Sequence, residues 1–140
     1  MIDLHCHTTA SDGIKTPSEL IDFAIEKNVG ILAVTDHDTV SGLEEAVNYA
    51  ADKELILIPG IEFSIDYQGG SFHLVGLYID HTYTPLIEKT LHLQEVRDKR
   101  IYRIIDDLEK HGIEIPVEDV LKESAGGAIG RPHVARVLVK

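Results

Sequence analysis

The chain has 140 residues, of which 24 are acidic and 13 are basic, for a formal net charge of −11 at pH 7. Its hydrophobic fraction of 44% is that of an ordinary globular domain and excludes a chain kept disordered by charge repulsion. We find no apolar run near the roughly 20 residues of a membrane-spanning helix and no secretion signal, so we expect no membrane partner. The acidic balance argues against a broad basic surface for duplex nucleic acid. Because the single cysteine, Cys6, cannot form an internal disulfide, we expect a cytoplasmic protein.

The first part of the chain alternates short apolar runs with capped helical segments, which predicts βα units around a parallel sheet. Residues 1–4 are predicted as a strand. Thr16, Pro17 and Glu19 form a capping-box pattern that predicts a helix to about residue 28. The continuous apolar run at residues 31–35 predicts a strand covered on both faces.

The next segment repeats this pattern and then reverses direction. Ser41 and Glu44 form a second capping-box pattern, which predicts a helix to about residue 53. Residues 55–58 are predicted as the next buried strand, which we expect Pro59-Gly60 to break before Glu62. Gln68-Gly69-Gly70 predicts a hairpin turn, so one antiparallel pair is expected to interrupt the parallel series.

From Thr84 the apolar spacing becomes helical. Thr84 and Pro85 predict the start of a long helix that ends at Gly112, and Pro116 and Pro132 predict the starts of two further helices. Three or four strands followed only by helices cannot close a barrel. We therefore expect an α/β part over residues 1–83 and a helical part over residues 84–140.

Histidines follow the first strand in a pattern that suits metal binding. His5 and His7 are two residues apart, so a strand directs both imidazoles to one face and Cys6 to the other. Two neutral imidazoles side by side are good ligands for a divalent ion, although an exposed histidine pair at a strand end is an equally valid interpretation.

Ionisable residues also follow the second and third strands. Asp36-His37-Asp38 comes directly after the apolar run, where parallel α/β folds place ligands; the alternative is a polar turn in which Asp38 caps the next helix. Glu62 has two oxygens and can bridge two ions. His73 taken alone is more typical of a structural histidine. Asp12 taken alone is typical of an Asx turn.

Three successive strand ends that deliver histidine or carboxylate residues indicate one convergent site. A ligand set of histidine, aspartate and glutamate, with no thiolate, favours Zn²⁺, Mn²⁺ or Fe²⁺ over Ca²⁺ and Mg²⁺. Bound metal ions would also provide the positive charge that an anionic substrate needs in an acidic protein.

Together these motifs closely resemble the PHP family, named for polymerase and histidinol phosphatase domains. The resemblance covers essentially the whole chain, and it is carried by Asp3-Leu4-His5-Cys6-His7-Thr8, Ser11-Asp12-Gly13, Thr16-Pro17-Ser18-Glu19-Leu20, Ala33-Val34-Thr35-Asp36-His37-Asp38-Thr39, Pro59-Gly60-Ile61-Glu62 and His73. Within the family the chain is most similar to stand-alone metal-dependent phosphoesterases, some of which act on nucleoside 3′,5′-bisphosphates or short oligonucleotides.

The resemblance implies a distorted (β/α)₇ barrel that holds up to three divalent metal ions. It gives His5, His7 and Glu62 to one ion. Glu62 would bridge to a second ion that His73 also binds. Asp12 and His37 would bind a third.

The resemblance also gives roles to a later segment, Gly130-Arg131-Pro132-His133. In the stand-alone branch a similar segment reaches over the site from a helical insertion, so Arg131 and His133 would contact substrate phosphate. The planar guanidinium of Arg131 suits this role, because it can hold two phosphate oxygens. Without the resemblance, Arg131 is simply an exposed cation at a helix start. His37 and His133 are the predicted residues for proton transfer.

The family's members are usually about twice as long, and their second half supplies one more histidine ligand and an Asp-x-His pair. We therefore expect the N-terminal half of an incomplete PHP barrel with a helical insertion, and low or absent activity for this chain alone. The expected reaction is hydrolysis of phosphate esters in nucleotides or short oligonucleotides by metal-activated water. Two alternatives stay open: a non-catalytic metal-binding or regulatory fragment, and a polymerase-associated PHP exonuclease module. Because an incomplete barrel exposes strand edges, we also expect a homo-oligomer or swapped dimer.

Overall fold

Four strands and five helices make up the chain, and a computed structural model describes all of residues 1–140. The elements in chain order are β1 (Ile2–Cys6), α1 (Pro17–Glu26), β2 (Ile31–Val34), α2 (Leu43–Ala50), β3 (Ile56–Tyr67), β4 (Gly70–Leu77), α3 (Thr84–Lys110), α4 (Val117–Ser124) and α5 (Arg131–Leu138). None of the helices combines the length and the apolar character that crossing a membrane requires.

The strands form one open sheet in the order β1-β2-β3-β4. β1, β2 and β3 are parallel, and Ile2, Ile31 and Ile56 lie side by side in the register. β4 returns antiparallel to β3 across the turn at Gln68-Gly69, with Tyr67 opposite Gly70. The structure confirms both the parallel βα series and the antiparallel hairpin. Because β1 and β4 are free edges, the sheet is an incomplete barrel, as expected.

The first helix begins where its capping box predicts. The Thr16 hydroxyl accepts a hydrogen bond from the backbone N–H of Glu19, and the Glu19 carboxylate accepts one from the backbone N–H of Thr16. Pro17 occupies the first turn, where no hydrogen bond is lost. These contacts direct the apolar face of α1 onto the sheet.

The first core lies between α1, α2 and one face of the sheet. Its buried members are Ile21, Ala24, Val29, Leu32, Val34, Val40, Leu43, Ala46, Ala50, Leu55 and Ile61. Each fully buried leucine or isoleucine stabilises the fold by about 1.5–3 kcal/mol. Because this core holds the helices against one side of the parallel strands, it fixes the strand ends from which the polar residues emerge.

The predicted break at Pro59-Gly60 is wrong, because β3 runs without interruption from Ile56 to Tyr67. The Pro59 carbonyl accepts a hydrogen bond from the Ile79 N–H, and Ile79 lies just beyond the end of β4. On that side Pro59 therefore has no partner within β4, so its missing N–H removes no bond from the strand ladder. Gly60 allows close packing on both sides: a Cβ atom there would lie 2.8 Å from Thr35 Cγ2 and 2.9 Å from the Gly76 carbonyl oxygen.

The second predicted capping box is also wrong. α2 begins after Gly42, and no side chain caps it. Ser41 instead bonds locally to Thr39, whose hydroxyl accepts a hydrogen bond from the backbone N–H of Ser41. Ser41 therefore belongs to a local turn at the end of the segment that carries His37, and it does not cap the helix.

The helical second part packs around a core of its own. Ile101 and Ile105 of α3, Val120 of α4, and Ile129 and Val134 next to and within α5 form this cluster. The predicted long helix is present, although Tyr83 rather than Thr84 occupies its N-cap. A backbone hydrogen bond of 2.8 Å from Ala128 N–H to the Ala10 carbonyl joins this part to the loop after β1. We call residues 84–140 the helical arm.

Candidate metal centre

Six side chains from four successive segments converge at the carboxyl ends of the parallel strands. His5 and His7 come from the end of β1, Asp12 from the following loop, and His37 from the residues after β2. Glu62 lies on β3 and His73 on β4. His37 and Glu62 pair across the sheet in an isolated parallel bridge, which brings their side chains to the same place. All six residues predicted from the sequence to be metal ligands therefore lie at one site.

Glu62 is the centre of this cluster and is only 5% exposed. Its Oε2 atom lies 2.8 Å from His5 Nε2, 3.1 Å from His7 Nε2 and 3.4 Å from His37 Nδ1. Its other oxygen, Oε1, lies 2.8 Å from His73 Nδ1. One buried carboxylate thus meets four imidazoles and offers an oxygen to each side, which is the geometry of a bridging ligand.

The donor atoms fall into three overlapping groups, each able to surround one ion. The first is His5, His7 and Glu62, as the resemblance implied. The second is His7, Asp12 and His37, in which Asp12 lies 3.5 Å from His7 Nδ1 and 3.6 Å from His37 Nε2. The third group is made of His37, Glu62 and His73. His7 and His37 therefore each face two groups, which the sequence did not indicate.

The electrostatics of the cluster suit a divalent cation. Burial, and then the positive charge of Arg97, lower the pKa of His37, so this ring is neutral at pH 7 and has a lone pair free. Burial pushes the pKa of Glu62 upward, but hydrogen bonding to His5, the charge that His37 carries when it is protonated, and hydrogen bonding to His73 outweigh burial and leave the pKa below its ordinary value. A neutral His37 beside an ionised Glu62 is the form in which these two side chains bind metals.

One buried atom tests the fit more directly. His37 Nδ1 is enclosed and has no hydrogen-bond partner. A buried nitrogen without a partner costs free energy unless something else satisfies it. Since Nδ1 points at Glu62 Oε2 within the cluster, a cation between these donors would satisfy it. The residues present therefore fit divalent metal ions with nitrogen and oxygen ligands.

Cys6 takes no part in the site. Its side chain packs against the core on the opposite face of β1, as the strand period predicts. Burial, followed by a hydrogen bond with Asp3 and the charge of Asp3, raises the pKa of this thiol to about 12. The thiol therefore stays protonated and cannot serve as a thiolate ligand.

The two aspartates beside His37 hold the loops in place and do not reach the donor groups. Asp36 is buried, and its carboxylate accepts hydrogen bonds from Thr8 N–H at 2.7 Å, Thr8 Oγ1 at 2.6 Å and Ser11 Oγ at 2.5 Å. Asp36 thereby anchors the loop that carries Asp12. Asp38 does not cap the next helix, because its carboxylate pairs with Arg97 at 2.5 Å and accepts a hydrogen bond from Ser64 N–H.

A cavity of about 240 Å³ opens between the histidine cluster and the helical arm. Asp12, His37 and His73 of the cluster line it. Arg97, Arg100 and Arg131 of the helical arm line it as well. Sequence reasoning named Arg131 but missed Arg97 and Arg100. Their spacing of three residues on a helix, in a strongly acidic chain, was the available signal.

The Gly130-Arg131-Pro132-His133 segment places its two candidate residues differently. Arg131 is exposed on the cavity wall and makes no hydrogen bond or ion pair. His133 is 1% exposed and lies behind the wall, where its Nδ1 accepts a hydrogen bond of 2.9 Å from Gly130 N–H. The substrate contact named for His133 stays a prediction, whereas its observed bond shapes the turn that presents Arg131.

The fold and this site define a PHP domain. The chain matches the PHP domain family model over residues 3–130 and belongs to that family. A 5′-3′ exoribonuclease of Haemophilus influenzae is 41% identical over 138 residues, which are 99% of this chain and 50% of the relative. A 3′,5′-nucleoside bisphosphate phosphatase of Chromobacterium violaceum is 36% identical over 139 residues, covering 99% of this chain and 49% of the relative.

Solved structures agree with the sequence matches. A Bifidobacterium adolescentis protein, itself predicted to be a metal-dependent phosphoesterase, superposes with a TM-score of 0.87 at 32% identity. The superposition covers 99% of this chain and 49% of that protein. The family membership and the incomplete barrel predicted from the sequence are thereby confirmed. The chain spans about half the length of the curated relatives that it matches.

Proposed function

We propose that the chain provides the metal cluster and the phosphate-binding arm of a phosphoesterase that hydrolyses phosphate esters of nucleotides or short oligonucleotides. The observation that carries this proposal is the cavity itself, because candidate metal-ligand residues and three arginines line the same space of about 240 Å³. A phosphate group is an anion that both bound metal ions and arginines can bind. The names of the relatives, an exoribonuclease and a bisphosphate phosphatase, support a nucleotide substrate.

The metal cofactors we propose are Mn²⁺, Zn²⁺ or Fe²⁺, up to three of them, in the assignment that the family resemblance implies. Two of the three donor groups observed contain Glu62, so this carboxylate would be the ligand that neighbouring ions share. His5 and His73 are about half exposed, so further ligands have access to the ions that they bind. When bound, divalent ions neutralise phosphate charge and lower the pKa of water.

The arginines bind and orient the substrate. Arg100 and Arg131 make no hydrogen bond or ion pair within the chain, so both guanidinium groups are available to phosphate oxygens. An arginine can donate two parallel hydrogen bonds to a phosphate. Because the two side chains line the same cavity as His37 and His73, a phosphate held by them lies next to the histidine cluster. We propose that Arg131 and Arg100 make the substrate contacts.

His37 is the proposed residue for proton transfer. Burial lowers its pKa, so at neutral pH the ring is unprotonated, and a ring nitrogen that no metal ion occupies can accept a proton. His37 lines the cavity together with the arginines, and its Nδ1 atom lies 3.4 Å from Glu62 Oε2. His133, the other residue named for this role, is enclosed, and its Nδ1 is occupied by the Gly130 N–H.

A phosphatase assay with matched variants tests this function. The chain, and a version extended to the length of its relatives, are supplied with Mn²⁺ and a nucleoside 3′,5′-bisphosphate. We expect turnover from the longer protein, its loss in His7→Ala, and low or absent turnover from the 140-residue chain. The matched control is His111→Ala on the exposed end of α3. Metal uptake with no turnover by either length would instead support the non-catalytic metal-binding alternative.

A further inference from the structure

A buried ion pair joins the metal-ligand loops to the helical arm. Asp38 is 1% exposed and its Oδ2 atom accepts a hydrogen bond of 2.5 Å from Arg97 Nε of α3. Its Oδ1 atom accepts one of 2.8 Å from the backbone N–H of Ser64 on β3. Both oxygens are therefore used, and neither points to the donor groups of the metal centre.

Arg97 extends this contact to two further segments. Its NH2 group donates to Ser64 Oγ at 2.8 Å, and its NH1 group donates to the Ile129 carbonyl at 3.2 Å. One guanidinium thus bonds to the loop after β2, to β3 and to the residue before Gly130. A planar group with five donors can do this, whereas lysine cannot bond in three fixed directions at once.

The loop end of the pair is tied directly to two metal-ligand candidates. Asp38 follows His37, and its backbone N–H donates to the Glu62 carbonyl at 3.0 Å. The backbone of Asp38 is left-handed, with φ of 52°, a conformation that aspartate tolerates better than most residues but that still needs support. The bonds from Ser64 and Arg97 supply that support and so fix the backbone that aims His37.

The arm end of the pair is tied to the phosphate-facing arginines. Arg100 lies three residues beyond Arg97, so both point from the same face of α3. Ile129, which accepts the NH1 bond, stands two residues before Arg131. Moving Arg97 away from Asp38 would therefore release both arginines from their places on the cavity wall.

We propose that Asp38 is a positioning residue, whose buried bond to Arg97 holds the arm's arginines at a fixed distance from His37. This deepens the proposed function, because it names the contact that sets the distance between the arginines and the histidines of the cavity. Removing one charge of a buried pair leaves the other without a partner, so the effect should exceed that of an exposed pair such as Asp119 with Lys122.

Hydrogen exchange tests the arm contact without any ligand. Asp38→Asn keeps the size and the Ser64 bond but removes the charge, and Arg97→Gln changes the other side. In both variants we expect amides of residues 128–131 to exchange about tenfold faster, while those of α1 keep their rates. Asp119→Asn is the control and should match the unmodified chain. Unchanged exchange at residues 128–131, or equal acceleration throughout α1, would overturn the proposal.

Phosphate binding tests the consequence for the site. With Mn²⁺ present, we expect Asp38→Asn and Arg97→Gln each to weaken binding of inorganic phosphate about tenfold. The double variant should lose no more affinity than the single variant with the larger loss. Arg97→Lys, which keeps the charge, should restore part of the affinity. Losses that add in the double variant would show two independent roles and overturn the proposal. If the unmodified chain binds no phosphate, the proposed function fails, while hydrogen exchange still decides whether the pair positions the arm.

Discussion

His37 Nδ1 and Glu62 Oε2 lie 3.4 Å apart without forming a hydrogen bond, and His37 Nδ1 is the one buried side-chain nitrogen or oxygen atom of the chain that has no partner. Every other buried polar side-chain atom is satisfied, including those of Asp36 and Asp38 directly on either side. The unsatisfied atom therefore sits where a cation would bind. This relationship ties the backbone bridge between the two residues to the chemistry of the metal centre.

The arginines that line the cavity beside the candidate metal centre should control phosphate affinity. Replacing either Arg100 or Arg131 by glutamine removes one cation from the cavity wall, and we expect each change to weaken phosphate binding about tenfold. Titration calorimetry with inorganic phosphate and Mn²⁺ measures this. Arg103→Gln, on the same helix but away from the cavity, is the matched control. An equal loss in Arg103→Gln would mean that only the general charge of the arm matters.

Asp36 should be a stability determinant of the loop that carries Asp12. Asp36→Ala leaves the N–H and hydroxyl of Thr8 and the hydroxyl of Ser11 without their acceptor, so we expect a loss of about 2–4 kcal/mol in the free energy of unfolding. Asp36→Asn keeps one acceptor oxygen and should lose less. Urea unfolding measures both. A loss below about 0.5 kcal/mol in Asp36→Ala would contradict the anchoring role.

The helical arm should lose stability in acid through His133. Burial and the charge of Arg136 lower the pKa of this ring, while Asp12 and Glu123 act in the opposite direction. Its Nδ1 can accept the Gly130 bond only when unprotonated. Because the folded pKa lies below the unfolded value of 6.5, the stabilisation is complete above that pH and is lost as the pH falls.

Urea unfolding at about pH 7.5 and about pH 5.5 checks this sign. We expect His133→Asn, whose side-chain oxygen can still accept from Gly130, to show a smaller decrease in acid than the unmodified chain. His111→Asn on the exposed end of α3 is the control and should keep the full decrease. Greater stability of the unmodified chain at the lower pH would contradict the assignment.

The oligomer expected from the sequence can be tested at the sheet edges. β1 and β4 are unpaired on one side, and exposed apolar residues such as Ile2, Phe72 and Leu74 lie on them. We predict self-association of the 140-residue chain in small-angle scattering, with weaker association after Leu74→Lys. Leu121→Lys, an exposed position on α4, serves as the control. A monodisperse monomer at all concentrations would rule out this prediction.

Local signals in the sequence predicted much of this structure. The capping box at Thr16 and the turn at Gln68-Gly69 depend on neighbouring residues, and both are present. The two-residue period of a β-strand predicted His5 and His7 on one face and Cys6 on the other, as observed. These features depend on backbone periods and local hydrogen bonds, which a single sequence displays directly.

Contacts between distant segments could not be predicted in this way. From the sequence, Asp38 could be interpreted as a helix cap, because its actual partner, Arg97, lies 59 residues away along the chain. Pro59-Gly60 predicted a strand break because the sequence does not show the tertiary contacts of Pro59 with Ile79 and of Gly60 with Thr35. The enclosure of His133 depends in the same way on how α5 packs against the rest of the arm.

The most direct test of the account is the metal content of the chain and of Glu62→Gln, measured after loading with Mn²⁺ and removing the excess. Glutamine keeps the shape but offers a neutral oxygen to ions that Glu62 is proposed to share. We predict that the unmodified chain retains metal, that Glu62→Gln loses most of it, and that Glu26→Gln on the surface of α1 behaves like the unmodified chain. Equal metal content in Glu62→Gln and the unmodified chain, or no retained metal in either, would contradict the account.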